Sequence, residues 1–142
     1  MRESVLSPEV FADDCEGRPV FDALTSRWAV LILGALLVRP HRFAELLGTI
    51  EGVSEKMLSQ TLRNLTRDGF VQRSVTATVP IQTSYALTDL GIQAAPQVVK
   101  LALWVRHHAD DIRAARSSHD ADRPVPPAEA NRHHGPARQQ VD

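Results

Sequence analysis

The chain has 142 residues, enough for one domain with one core, and its formal net charge of −1 excludes a polycation that binds acidic partners by bulk charge. Its single cysteine, Cys15, excludes an intrachain disulfide and leaves a free thiol or a bond to another molecule. Low cysteine usage and no signal peptide point to the cytoplasm, and the longest apolar run, the eleven residues Trp28 to Val38, is too short to span a bilayer.

Charge is distributed unevenly. Residues 27–73 carry seven basic and four acidic residues, a net +3, whereas residues 1–26 carry a net −4. A local positive excess fits a nucleic-acid face without establishing one.

In chain order, residues 1–14 are a polar, acidic arm with little pattern beyond Val5, Leu6, Val10 and Phe11. Past Cys15, Pro19 suits the first position of a short helix with Val20, Phe21 and Leu24 on its inward face. Thr25 or Ser26 can cap a second helix, from about Arg27 to Val38, apolar on nearly every side and therefore expected at the centre of the core. Gly34 inside it costs about 1 kcal/mol of helix propensity and suggests a close approach by another backbone. Pro40 ends that helix.

Arg42 and Phe43 form a short extended link. Phe43, Leu46, Leu47 and Ile50 then repeat at i, i+3, i+4, i+7, which predicts a third helix of about two turns. After Glu51, Gly52 and Val53 comes Ser54 to Gly69, SEKMLSQTLRNLTRDG. At 100° per residue it places Met57, Leu58, Thr61, Leu62 and Leu65 on one side. Lys56, Ser59, Gln60, Arg63 and Arg67 fall on the other, in a stripe about 100° wide. Ser54 is an N-cap, Glu55 sits where the helix dipole favours an anion, and Gly69 is a stop signal. Two short helices joined by a Gly-containing turn are a helix-turn-helix pattern.

Phe70, Val71, Arg73 and Val75 read as a strand, Ala77 to Ile81 as a turn, and Thr83, Tyr85 and Leu87 as the return strand of a β-hairpin. Thr88 and Asp89 cap a long helix, about 89–115, in which Pro96 marks a kink or a fresh start. Val98, Leu101, Ala102, Val105, Ala109 and Ile112 line one of its faces, with Val99, Leu103 and Trp104 elsewhere. Apolar residues on several sides call for a second subunit as well as the domain's own body. From Ser117 on the pattern stops, and residues 117–142, with four prolines, read as a disordered tail. The whole is mainly α with a small β-hairpin: an arm over 1–14, a winged helix-turn-helix with a dimerising C-terminal helix over 15–116, and the tail.

Several pieces, in this order and spacing, resemble the HxlR-type bacterial transcriptional regulators, relatives of the multiple-antibiotic-resistance regulators. They are Cys15 thirteen residues before Trp28, the helix RWAVLILGALL, the run RFAELLGTIEGVSEKMLSQTLRNLTRDGFVQR, and YALTDLG. The resemblance covers Cys15 to about His108. It implies a homodimeric winged-helix regulator on a pseudo-palindromic operator, with many members responding to electrophiles, oxidants or small molecules. The basic residue before the tryptophan is kept as Arg27. Two positions depart from the family pattern. Glu16 follows the cysteine where proline is common, and Pro80 to Tyr85 lacks the usual arginine of the wing.

On this reading Lys56, Ser59, Gln60 and Arg63 reach base edges or adjacent phosphates, with Ser54 at the leading end of their helix. Arg63 can pair bidentately with guanine and Gln60 with adenine, while Arg67, Arg42, Arg27 and Arg73 are phosphate candidates. Cys15 has two readings, an oxidant sensor or a structural thiol. Arg18 favours its thiolate, whereas Asp13, Asp14 and Glu16 oppose it. His107 and His108 point about 100° apart, so they make no chelating pair, and no metal, cofactor or catalytic set is expected. The expected partners are double-stranded operator DNA, a second copy of the chain, and a small-molecule or electrophile effector, with no membrane. The competing class is a winged-helix protein-interaction module without an operator, for which apolar residues are expected on the Ser54–Gly69 face. A ligand pocket lined by Trp28, Leu31, Phe43, Leu101 and Trp104 is a third reading, which ordinary core packing explains equally well.

Overall fold

A computed structural model describes residues 16–123. The arm, Cys15 and residues 124–142 lie outside the described residues. The chain divides into two compact units, one up to His107 and one from His108.

Helix α1 (Gly17–Leu24) begins two residues before the expected start, so Pro19 is its third residue, still in the first turn where a missing N–H costs no intrahelical bond. Its Val20 and Leu24 pack on the core, while Phe21 stays exposed. Ser26 precedes α2 (Arg27–Val38) in an extended conformation, but its hydroxyl does not cap α2. It donates backwards to the Ala23 carbonyl at 2.9 Å, as the Thr25 hydroxyl does to Phe21 at 2.8 Å, so both residues close α1 instead.

Ala29, Ile32, Leu33 and Leu36 of α2 are buried at the centre of the core. The expectation of burial on nearly every side fails, because Leu31, Leu37 and Val38 face outward. Gly34 does not admit a backbone either. A Cβ there would meet only the Val99 Cγ2 atom, at 3.6 Å, an ordinary contact. The extended link lies one residue earlier than expected, as strand β1 (His41–Arg42) with Phe43 already in the following helix, and it joins a sheet that the sequence did not announce. Helix α3 (Phe43–Thr49) follows with Leu46 buried.

Helix α4 (Glu55–Arg67) has the expected ends. Ser54 Oγ accepts the Met57 N–H at 3.1 Å, and Gly69 takes φ = +85° after the last turn. Leu58, Thr61, Leu62 and Leu65 are buried, with Met57 at the edge of that face and 40% exposed. Strands β2 (Val71–Thr76) and β3 (Gln82–Leu87) pair antiparallel, and β3 also pairs with β1, giving the order β1–β3–β2. Tyr85 of the central strand stands between His41 and Arg73 and is buried.

Helix α5 (Asp89–His107) starts as expected at Thr88, whose Oγ1 accepts the Gly91 N–H at 3.1 Å. The same hydroxyl donates to the Gly69 carbonyl, and the Thr88 N–H bonds the Phe70 carbonyl at 3.1 Å. The end of α4 is thereby fastened to the start of α5. Gly91 is required by this junction, since a Cβ there would lie 2.0 Å from the Phe70 oxygen. Pro96 lies inside α5 instead of breaking it or starting a new helix. Both Pro96 and Ile92, whose carbonyl loses its N–H partner, are exposed, so water can satisfy the freed oxygen.

The single long helix over 89–115 is corrected to two. Helix α6 (Ala109–Asp122) also carries helix six residues into the expected tail. The sequence there is polar throughout, so apolar periodicity gives no signal. What supports the helix is local, with Asp110 and Asp111 in the first turn and Arg113 paired to Asp110 at 2.8 Å. No single helix among the described residues is long and apolar enough to cross a membrane.

Candidate nucleic-acid interface

The buried stripe of α4 fixes what the helix presents to solvent. With Leu58, Leu62 and Leu65 held in the core, Lys56, Gln60, Arg63 and Arg67 must point outward, and all four are exposed. Ser59 is half-buried at the margin of the stripe. Ser54 is exposed, its hydroxyl oxygen engaged as the helix cap.

The sheet then adds a residue whose orientation the sequence left open. Strand β2 places Arg73 opposite Tyr85, and Arg73 shares a groove of ≈ 550 Å³ with Ser59, Arg63, Thr66, Arg67 and Tyr85. Three guanidiniums from two elements thus border one concavity. Thr66 and Tyr85 are the members that sequence reasoning missed. Thr66 also donates to the Leu62 carbonyl at 2.7 Å, so its outward share is small. Strand alternation gives Tyr85 a face, but only the pairing with β2 shows that this face meets α4.

None of Lys56, Arg63, Arg67 and Arg73 has an ion-pair partner among the described residues. The acid close to α3 is already engaged. Arg39 contacts Glu45 at 2.7 Å, and the Arg42 N–H donates to Glu45 at 3.4 Å. Arg39 foremost, then the Arg42 amide, holds the Glu45 carboxyl below its ordinary 4.5. Arg42 is exposed at the start of α3, with β1 pairing it to Ser84. His41, which sequence reasoning passed over, is buried beside it with Nδ1 2.8 Å from the Arg39 carbonyl.

Arg27 is not brought into the α4 groove. It lies over the Trp28 ring, 4.6 Å from the centroid, and lines a different concavity with α5. The wing tip is neutral and apolar, with Val75, Val79 and Ile81 exposed. The residues expected at a subunit contact separate into groups. Val98 packs on the core of its own chain, Ala102 lines the concavity with Arg27, and Leu101 and Val105 are exposed. Ala109 and Ile112 belong to α6. The five residues of the suggested ligand pocket are not brought together either. Trp28 and Phe43 pack against the core, Leu31 lines the concavity with Arg27, and Leu101 and Trp104 lie on an exposed side of α5.

This arrangement is a capped helix with an acid-free outer stripe, flanked by a strand arginine and preceded by a short helix. Its cations match phosphate oxygens, and its amide and guanidinium groups match base edges. Residues 23–113 match the HxlR-like helix-turn-helix family. The HTH-type transcriptional regulator YtfH of Escherichia coli is 44% identical over 112 residues, covering 79% of this chain and 89% of YtfH. The solved YtfH of Salmonella typhimurium is 44% identical and superposes with a TM-score of 0.73 over 76% of this chain and 96% of that one. The diamide-treated YodB of Bacillus subtilis, 28% identical, gives a TM-score of 0.58 over 73% and 96% of the two chains.

Proposed function

The chain belongs to the HxlR-like helix-turn-helix family and is a helix-turn-helix transcriptional regulator; from that premise we propose that it is a homodimeric repressor on a pseudo-palindromic operator. One observation carries the reading: Arg63, Arg67 and Arg73 border one groove, with Lys56 exposed on the outer face of the same α4, and none of the four has an ion-pair partner among the described residues. Helix α4 enters the major groove, where Gln60 and Arg63 read bases. Lys56, Ser59, Arg67, Arg73, Arg42 and the capped end at Ser54 hold phosphates. Arg27, stacked on Trp28 away from the α4 groove, contributes less as a phosphate contact than the arginines of that groove. A protein-interaction module has less support, because Met57 is the only exposed large apolar residue of α4.

The exposed Leu101 and Val105 of α5 support a second copy as partner, since a monomer gains nothing by leaving large apolar side chains in water. Cys15 is the oxidant-responsive group of this reading. As the single cysteine it can form only an intermolecular disulfide, a mixed disulfide or an adduct.

Selection of bound fragments from the source genome supplies the operator. Binding that survives excess non-specific DNA and falls with Arg63→Ala is the expected result. Full affinity in Arg63→Ala refutes the recognition-helix assignment. Diamide-induced release that persists in Cys15→Ser refutes cysteine sensing and leaves DNA binding intact.

A further inference from the structure

A second concavity, of ≈ 600 Å³, has a floor from Val30, Leu31 and Gly34 of α2. Ile50 at the end of α3 forms one wall, and Val99 and Leu103 of α5 form the other. The volume is that of a small-molecule site. Gly34 adds no side chain to the floor, and a Cβ there would lie 3.6 Å from Val99 Cγ2. Leu31 and Leu103 remain 43% and 45% exposed.

The charges of this groove are unbalanced. Arg27 and Arg106 both line it, against Glu51 alone. Neither arginine has an ion-pair partner among the described residues. Gly34 and Val99 mark where α2 and α5 touch, and each arginine stands seven residues, about two helical turns, from that point. Stacking on Trp28 holds the Arg27 guanidinium in a defined orientation. An apolar slot with two guanidiniums and one carboxylate complements an amphiphilic monoanion. A second copy fits less well. A self-complementary contact would bury two arginines and one glutamate from each chain and leave one cation per copy unpaired.

We propose that this groove binds a small carboxylate with an apolar body, its head at Arg27 and Arg106 and its body along Leu31, Gly34 and Leu103. The wall residues Ile50 and Glu51 belong to the turn that leads through Gly52 to the Ser54 cap of α4, so an occupied groove bears on the position of the recognition helix. That regulatory consequence rests on the DNA-binding reading above, whereas the binding itself does not.

The test uses the full chain, with 8-anilinonaphthalene-1-sulfonate as fluorescent reporter and decanoate and 1-decanol as competitors. The reporter is expected to saturate at one per chain, and decanoate to displace it at about tenfold lower concentration than the alcohol. Arg106→Gln, at an exposed position, should weaken decanoate about tenfold and leave 1-decanol unchanged. Gly34→Leu should abolish displacement by both while keeping the native circular dichroism. Decanoate should shift wild-type affinity for the selected DNA but not that of Arg106→Gln. Equal displacement by acid and alcohol, or an unaltered Arg106→Gln, overturns the site. So does a wild-type dimer that binds no reporter and falls to monomer on Gly34→Leu, because the groove is then covered by a second copy. Decanoate binding with unchanged DNA affinity overturns the regulatory step alone. DNA binding that is absent without decanoate refutes the operator reading and leaves the groove standing.

Discussion

The same substitution at two glycines should move stability in opposite directions. Both Gly34 and Gly91 lie in helices with ordinary φ, so propensity alone makes alanine better by about 1 kcal/mol at each. At Gly34 the added methyl meets only Val99 at 3.6 Å, and the propensity gain of about 0.5–1 kcal/mol should survive. At Gly91 the methyl lies 2.0 Å from the Phe70 oxygen and 3.0 Å from its carbon, which is backbone and cannot rotate away. Relief requires α5 to lift from the start of β2. That strains the Thr88 N–H bond to Phe70 and the Thr88 hydroxyl bond to Gly69. Overpacking of about 1–3 kcal/mol and about 0.5–1.5 kcal/mol for each weakened bond outweigh the propensity gain. The net loss is about 1–5 kcal/mol, or a melting temperature roughly 5–25 °C lower for a domain of this size. Urea and thermal unfolding by far-ultraviolet circular dichroism, at one fixed protein concentration, measures both variants. A Gly91→Ala protein as stable as wild type would show that the α4–α5 junction is not built this way, as would Gly34→Ala losing as much.

On the selected operator fragment, Arg63→Ala should lose about 1–3 kcal/mol by fluorescence anisotropy, with the loss concentrated at one base position. Arg67→Ala should instead weaken all sequences alike and lower the slope of log affinity against log salt by about 1. Ser54→Ala removes the bond to the Met57 N–H and should cost about 1 kcal/mol of stability in denaturant titration, a size that a serine whose hydroxyl caps no helix would not produce. Glu45 has its carboxyl held below 4.5 by Arg39, so its stabilising contribution is present above pH 4.5 and is lost as the pH falls below that value through the lowered pKa. Acid titration of Glu45→Gln should therefore show a shallower loss of stability in that range, and an unchanged slope would dissociate Glu45 from the acid response.

What could be read from the sequence follows from how each signal is generated. Helix α4 was legible at both ends and on both faces because its caps and its apolar period act within the segment. Ser54 bonds its own first turn, and Gly69 supplies the positive φ that other residues resist. The hairpin was legible for the same reason. Strand β1 is two residues long and exists only because β3 accepts it, so no local pattern marks it. Helix α6 has no buried side of its own, so a reading by hydrophobic period ends at Ser117, while the helix continues to Asp122. The glycines show the limit most clearly. The sequence suggested a close backbone approach at Gly34, inside the most apolar helix, yet the approach occurs at Gly91, in the YALTDLG segment that closes the hairpin. Which glycine faces a carbonyl is a property of two segments, and neither contains the information alone. The same holds for Arg73, whose place beside Arg63 and Arg67 depends on the register with Tyr85.

The two ends of α4 are held in different ways, and this bears on how such a helix is controlled. At its C-terminal end, Gly69 is tied through the Thr88 hydroxyl to the first turn of α5, and Gly91 lets the Phe70 carbonyl pack against that turn. This junction is backbone against backbone and has little freedom. The N-terminal end is reached through Ile50, Glu51 and Gly52, the last with φ = +82°, and two of these residues line the open groove with Arg27 and Arg106. An apolar surface that is incompletely filled yields more readily than one closed by main-chain contact. Displacement of α4 should therefore pivot near Gly69 and be largest near Ser54 and Lys56, the end that leads into the major groove. A ligand at the groove thus acts where a small rotation changes the most base and phosphate contacts. A displacement of the first turn of α5, which Thr88 ties to Gly69, would instead move both ends of the helix together. Hydrogen exchange on the full chain separates the two routes. Protection that falls first at the amides of Met57 and Leu58, with Gly69 and Phe70 unchanged, is the signature of the hinge near Gly69. Equal loss at both ends contradicts it.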